Sequence, residues 1–203
     1  KKQLHPKLRH RMCETRRRAF ASQGFPGAAL RSKGAILPME LMDLETRRAN
    51  CLHVGYQDLV EGFRRVGVHD GDLVFCHSSL SKFGFVEGGA EMVVDALAAA
   101  VGGSGTVAAA AGTPSLRDDG GFVFDVINSP SERGVISEAI RRRGAHRSHH
   151  LLDSVSAFGP EAEWLTASHS VTNCGAESPY SKLIQRDAQI LLLGVSHNSN
   201  TTF

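Results

Sequence analysis

Apolar residues in this chain change their spacing from one segment to the next. At Tyr56, Leu59, Val60, Phe63 and Val66 they recur every three or four positions, which predicts a helix. Gly67 suits the left-handed residue that follows a helix end. After the turn His69-Asp70-Gly71-Asp72, the apolar run Leu73-Val74-Phe75-Cys76 predicts a strand over 72–77. Helical spacing returns at Met92, Val93, Ala96, Leu97, Ala100 and Val101, and Gly102-Gly103 closes that stretch. Residues 105–111 are small and apolar between glycines and predict a second buried strand.

Further along, Ser129-Pro130-Ser131-Glu132 carries an N-cap residue, a first-turn proline and a capping-box glutamate. A helix is expected to start there, with Val135, Ile136, Ala139 and Ile140 as its buried stripe and Gly144 as its stop. Arg141-Arg142-Arg143 complement the negative end of its dipole. Residues 154–158 alternate as a strand does, and short helices are expected from Pro160 to Trp164 and after Ser178-Pro179. The run from Gln189 to Val195 reads as a strand covered on both faces.

Strands alternating with helices predict a three-layer α/β/α sandwich around a mostly parallel or mixed sheet. Sites in such sheets gather at the C-terminal ends of strands. Three polar segments fall at such positions: His77 to Gly89, the region around His150, and Ser196 to Thr202. The connection over 113–128 is long, polar and glycine-bearing, as functional loops often are.

Composition narrows the classes. At 203 residues, 41% hydrophobic and 22% charged, the chain supports one sizeable globular core. No run approaches the ~18–20 apolar residues of a membrane span, and no apolar stretch follows the basic start as in a secretory signal. Cys13, Cys51, Cys76 and Cys174 form no CxxC pair, which disfavours a zinc ribbon and suits a reducing cytoplasm. Charge divides the chain into a basic leader over residues 1–50, net +8, and a body over residues 51–203, net −6. An acidic body attracts cationic ligands, although moderate charge also serves solubility alone. The leader's arginines lack interleaved aromatics, so no nucleic-acid partner is expected.

The polar segments carry the candidate chemistry. His146 and His150, with Asp153 following, have a metal-like spacing, but Gly144 has just ended the helix that i,i+4 ligands need, and no metal is expected. An imidazole there can instead act as a general base near neutral pH, or bridge surface and core without any chemistry. His197 can orient a substrate or cap its loop. Ser78 and Ser79 follow a strand, yet the Gly-x-Ser-x-Gly of a nucleophile elbow is absent. A glycine-bearing loop before a helix N-terminus can hold anionic or polar groups.

The run His77-Ser78-Ser79-Leu80-Ser81-x-x-Gly84-x-Val86-x-Gly88-Gly89-Ala90 resembles the hallmark of the aminoglycoside 3-N-acetyltransferase family. Further similar segments follow in order: Gly105-Thr106, Ser129-Pro130-Ser131, Arg147-Ser148-His149-His150, Ser178-Pro179 with Lys182-Leu183, and Leu191 through Thr201. The resemblance covers residues 56–203. It implies an α/β/α sandwich that transfers acetyl from acetyl-CoA to the 3-amino group of a deoxystreptamine aminoglycoside, an antibiotic-resistance activity of the cytoplasm. It implies that Ser78, Ser79, Leu80, Ser81, Gly88 and Gly89 hold coenzyme A and that His150 is the general base. Glu87 and Glu91 flank the glycines with only Lys82 to offset them, which favours pantetheine over pyrophosphate at that point. Asp118, Asp119 and Asp125, with His197, are the candidates for the cationic acceptor. A homodimer is compatible with these features.

The sequence departs from the family pattern in three places. Leu151 stands where a proline usually follows the motif histidine, and Ala108 to Ala111 replace a Met-Pro turn. The family continues into a His-x-x-Glu segment whose glutamate is expected in the site, so the chain to Phe203 is expected to be C-terminally truncated. A same-fold acyltransferase for another amine, or an inactive coenzyme-binding remnant, are the alternatives.

Overall fold

A computed structural model describes residues 49, 51–117, 123–144 and 146–200. All of the leader but residue 49, with Asp118, Asp119, Thr201 and Thr202, lies outside the described residues. In chain order the elements are β1 (His53–Val54), α1 (Tyr56–Arg65), β2 (Leu73–Ser78), β3 (Phe85–Val86), α2 (Gly89–Val101), β4 (Thr106–Ala110), α3 (Val135–Gly144), β5 (His146–Arg147), β6 (Val155–Phe158), α4 (Ala162–Thr166), α5 (Pro179–Gln185) and β7 (Gln189–Leu193). Single 3-10 turns stand at Leu80–Lys82, Pro114–Arg117 and His197–Ser199.

The main sheet runs β5-β6-β4-β2-β7, with β4, β2 and β7 parallel and β6 antiparallel to both β4 and β5. A mostly parallel or mixed sheet was expected and the sheet is mixed, and the pleat explains the three layers. Alternate residues of β2 point to opposite faces. Val74 and Cys76 join Val107, Ala109, Leu191 and Leu193 beneath α1, α2 and α3. Phe75 joins Ala108, Val155 and Ala157 beneath α4 and α5. The register sets Phe75 beside Ala108, and Ala108 beside Ala157. A full aromatic ring fits at the sheet centre because its neighbours across two strands are alanines. The Ala108–Ala111 departure thus falls in the packed core and the segment leaving it.

Local signals account for most element ends. Asp58 accepts the Gly55 N–H at 2.9 Å at the start of α1, and Ser178 accepts the Ser181 N–H at 3.2 Å at the start of α5. Gly67, at φ +95, stands just beyond α1, and the next N–H, of Val68, returns to the Phe63 carbonyl at 3.1 Å.

Two expectations are corrected. The helix expected at Ser129 begins at Val135 instead. Its cap residues are committed elsewhere: Ser129 Oγ accepts the Asp125 N–H, the Pro130 carbonyl accepts from Thr113 Oγ1, and Glu132 accepts from Ser115. Gly134, at φ +109, then reorients the chain into α3. Second, β7 is an edge strand among the described residues, with Gln189, Ile190 and Leu192 only half-buried, so its cover is partial. No helix among the described residues is long and apolar enough to cross a membrane.

Phe75 is fully buried. Phe75→Ala should lower the unfolding free energy by about 3–5 kcal/mol, measured by urea denaturation.

Candidate active site

β5 ends at Arg147, and the chain turns through residues 148–154 before returning as β6. Arg147 is buried and its guanidinium ties this turn to two other segments. Nε donates to Ser154 Oγ at 3.0 Å, and Nη2 donates to the Ala111 carbonyl and to Thr113 Oγ1. Nη1 donates to the carbonyls of Ser129 and Val126, and the Phe124 ring lies 4.7 Å from Cζ. Burial, with repulsion from Arg141, pulls its pKa down to about 10, against help from Glu138 and Asp125. It stays charged at neutral pH.

The turn fixes two imidazoles. Buried Ser148 accepts the Val155 N–H on Oγ at 2.9 Å, and the same hydroxyl lies 2.8 Å from His169 Nδ1, to which it donates because the other ring nitrogen faces a carbonyl, which can only accept. That leaves the ring proton of His169 on Nε2, which donates to the Asn173 carbonyl at 3.2 Å. His150 Nδ1 accepts the Asp153 N–H at 3.0 Å, so neutral His150 also carries its proton on Nε2. The two rings stack with centroids 4.5 Å apart. Burial foremost, and then the neighbouring charge of His150, lower the pKa of His169.

A cleft of about 240 Å³ opens where β2, β4 and β7 end. His77, Ser78, Arg133, Asp153, Tyr180 and Ser199 line it. Burial lowers the pKa of His77, while the nearby Asn200 side chain acts in the opposite sense. Tyr180 donates its hydroxyl to the Asp153 carbonyl at 3.1 Å, and burial pushes its pKa upward, so it remains a neutral donor. Arg133 Nη2 lies 3.5 Å from Asp153 Oδ1 and donates to the Leu152 carbonyl at 2.7 Å.

The sequence candidates distribute unevenly around this cleft. Ser78 lines it. Ser79, Leu80 and Ser81 form the adjoining turn, where the Ser79 N–H donates to the Leu193 carbonyl at 2.9 Å and the two serine hydroxyls meet at 3.2 Å. Gly194, at φ +69, faces this turn, and a Cβ there would meet Ser79 O at 2.9 Å. Gly88 and Gly89 start α2 with φ +78 and +61, away from the cleft lining. His150 stands beside the lining, which Asp153 of the same turn reaches. His197 is exposed, between the cleft residues Val195 and Ser199. Asp125 spends its carboxylate on its own turn, accepting from the backbone of Ile127 and Asn128 and the Asn128 side chain. Among the described residues no three His, Cys, Asp or Glu side chains group as a metal site.

His169, Arg133 and Tyr180 carry no signal of their own in the sequence, and His77 is legible there only as the first residue of the expected coenzyme loop. His169 lies in a segment with no apolar period, and Arg133 stood inside an expected helix start. Tyr180, following a helix-opening proline, carried only its position in a motif.

These features define an α/β/α protein with a strand-end cleft, equipped to bind polar ligands and move a proton. The aminoglycoside 3-N-acetyltransferase family model matches residues 75–203, and the chain belongs to that family. It is 36% identical over 161 residues to "Aminoglycoside N(3)-acetyltransferase III" of Salmonella sp, covering 70% of this chain and 56% of the relative. It thus spans about half the length of that curated relative. A solved structure described as "AAC-IIIb binary with CoASH" superposes with a TM-score of 0.63 and 27% identity, over 70% of this chain and 59% of that one. Another, "AAC-VIa bound to Sisomicin", gives 0.67 and 30%, over 73% and 62%.

Lowered histidine pKa values predict a pH response. His77 and His169 sit below the ordinary 6.5, so the unfolded chain binds more protons once pH falls into that region. Stability is full above that value and is lost as pH falls below it. Thermal unfolding from about pH 7.5 down to about pH 5 should show a falling Tm, with a shallower slope in His169→Phe.

Proposed function

We propose that the protein to which this chain belongs is an acetyl-CoA-dependent N-acetyltransferase acting on the 3-amino group of aminoglycosides. The observation that carries this reading is the convergence of the Ser78 strand end and the His150–Asp153 turn on one cleft, within a chain of this family. The CoASH and sisomicin of the two similar structures support the two substrates.

The residues near the cleft fit a coenzyme A arm. Ser78, Ser79 and Ser81 offer hydroxyls and Leu80 an apolar contact, and farther along the arm, away from the cleft lining, the start of α2 at Gly88-Gly89 offers helix N-terminal amides. Glu87 and Glu91 oppose a phosphate there, so these groups would take the amide-bearing pantetheine arm. Bound acetyl-CoA supplies an activated acetyl group. Asp118 and Asp119, outside the described residues, remain candidates for the acceptor's ammonium groups, as does His197.

In this reading His150 takes the proton that the acceptor amine must lose to become a nucleophile. The base form places the free lone pair on Nε2. Reaching it gives up the hydrogen bond from the Asp153 N–H to Nδ1, at a cost of about 0.5–1.5 kcal/mol. Stacking on His169 keeps the ring in place during this exchange. Cys51, Cys76 and Cys174 are free thiols, which suits the cytoplasm proposed as its compartment.

His150→Ala should reduce thiol release from acetyl-CoA in the presence of an aminoglycoside by about 10²-fold or more while coenzyme A still binds. Full turnover by this variant contradicts the assignment.

A further inference from the structure

We infer that the Arg133–Asp153 pair is the selectivity element of the acceptor side: Asp153 receives a substrate ammonium group in exchange for Arg133. The inference rests on the N-acetyltransferase reading and adds the residue pair that would hold an amine of the acceptor other than the one acetylated. Among the described residues lining the cleft, Asp153 is the only carboxylate and Arg133 the only arginine or lysine. The cleft is therefore balanced in charge until one of the two changes partner.

The geometry favours exchange at Asp153. Its one ion-pair contact with Arg133 is 3.5 Å long, and the two side chains are 24% and 39% exposed. Such a pair is weak. Arg133 has a shorter anchor of its own in the Leu152 carbonyl at 2.7 Å, so it keeps a partner when the carboxylate is taken. Asp153 is fixed beside the reacting end of the site: it stands three residues after His150 in a turn closed by the Ser154 N–H donating to the His150 carbonyl at 3.1 Å, and its own carbonyl accepts from Tyr180. An amine at Asp153 therefore places a second amine of the same molecule near His150. A monoamine occupies one position or the other and gains nothing from the pair.

Calorimetric titration of wild type, Asp153→Asn and Arg133→Gln with sisomicin, and separately with coenzyme A, tests this without relying on turnover. Asp153→Asn should weaken sisomicin about tenfold, and Arg133→Gln should tighten it about threefold by removing the competitor. Coenzyme A affinity should stay within about twofold in both. Equal sisomicin affinity in wild type and Asp153→Asn overturns the inference and leaves the N-acetyltransferase reading standing. If wild type binds coenzyme A but not sisomicin, the aminoglycoside reading fails, and spermidine titrations of the same three proteins decide the pair by itself. The same ranking with spermidine supports it, and no spermidine binding, or equal binding, overturns it.

Discussion

The guanidinium of Arg147 bonds three chain segments at once. From the edge strand β5 it reaches the end of the central strand β4 at Ala111 and Thr113, the connection at Val126 and Ser129, and its own turn at Ser154. Among the described residues no carboxylate lies at salt-bridge distance from it. Carbonyls and hydroxyls satisfy the charge instead, which is why burial lowers its pKa to about 10 and does not discharge it. Hydrogen bonds to a charged group contribute about 1.5–3 kcal/mol each, and leaving such a group buried without them costs several more. The position of the His150 turn follows from this anchor. Thr113 donates its N–H to Leu151 and its hydroxyl to Pro130, so one residue passes the constraint from Arg147 to both sides.

Close backbone approach makes the anchor possible. Gly112 lies where any Cβ would run into the Leu152 carbonyl, so the exit of β4 and the His150 turn meet without an intervening side chain. On the other side of the cleft, Gly194 lets the end of β7 lie against the Ser79 turn. The alanines of the central strand leave room for Phe75, whose ring packs T-shaped against those of His77 and Tyr180 with centroids 5.2 Å and 5.8 Å apart. Core packing thus also braces two of the side chains that line the cleft.

The layers were legible because they depend on local period. The helical spacing at Tyr56–Val66 and Met92–Val101 reports which face each helix buries, the apolar runs at Leu73 and Gln189 mark strands without saying how far each is covered, and family motifs supplied the order. Residues 129–132 misled for a physical reason. A serine, a proline and a glutamate at cap spacing make an N-cap only when their polar groups are not claimed from elsewhere. Here Asp125, Thr113 and Ser115, all distant or outside the segment, claim them. Asp125 had a similar fate, since carboxylates in loops close turns as readily as they meet ligands. The His150–His169 stack and the Arg133–Asp153 pair join residues far apart in sequence, and no spacing encodes them. Arg147 was visible as part of a motif, but its role as a hub depends on three segments that only the fold assembles.

Hydrogen exchange on Arg147→Lys tests the hub most directly. Lysine keeps the charge and loses the planar fork that reaches three segments at once. The amides of Ala111, Thr113, Ser129, Glu132 and Ser154 are each hydrogen-bonded in this region. They should exchange about tenfold or more faster in the variant, while those of β2 and its partner β7 keep wild-type protection. Unchanged protection at all five positions, in a folded variant, would contradict the account.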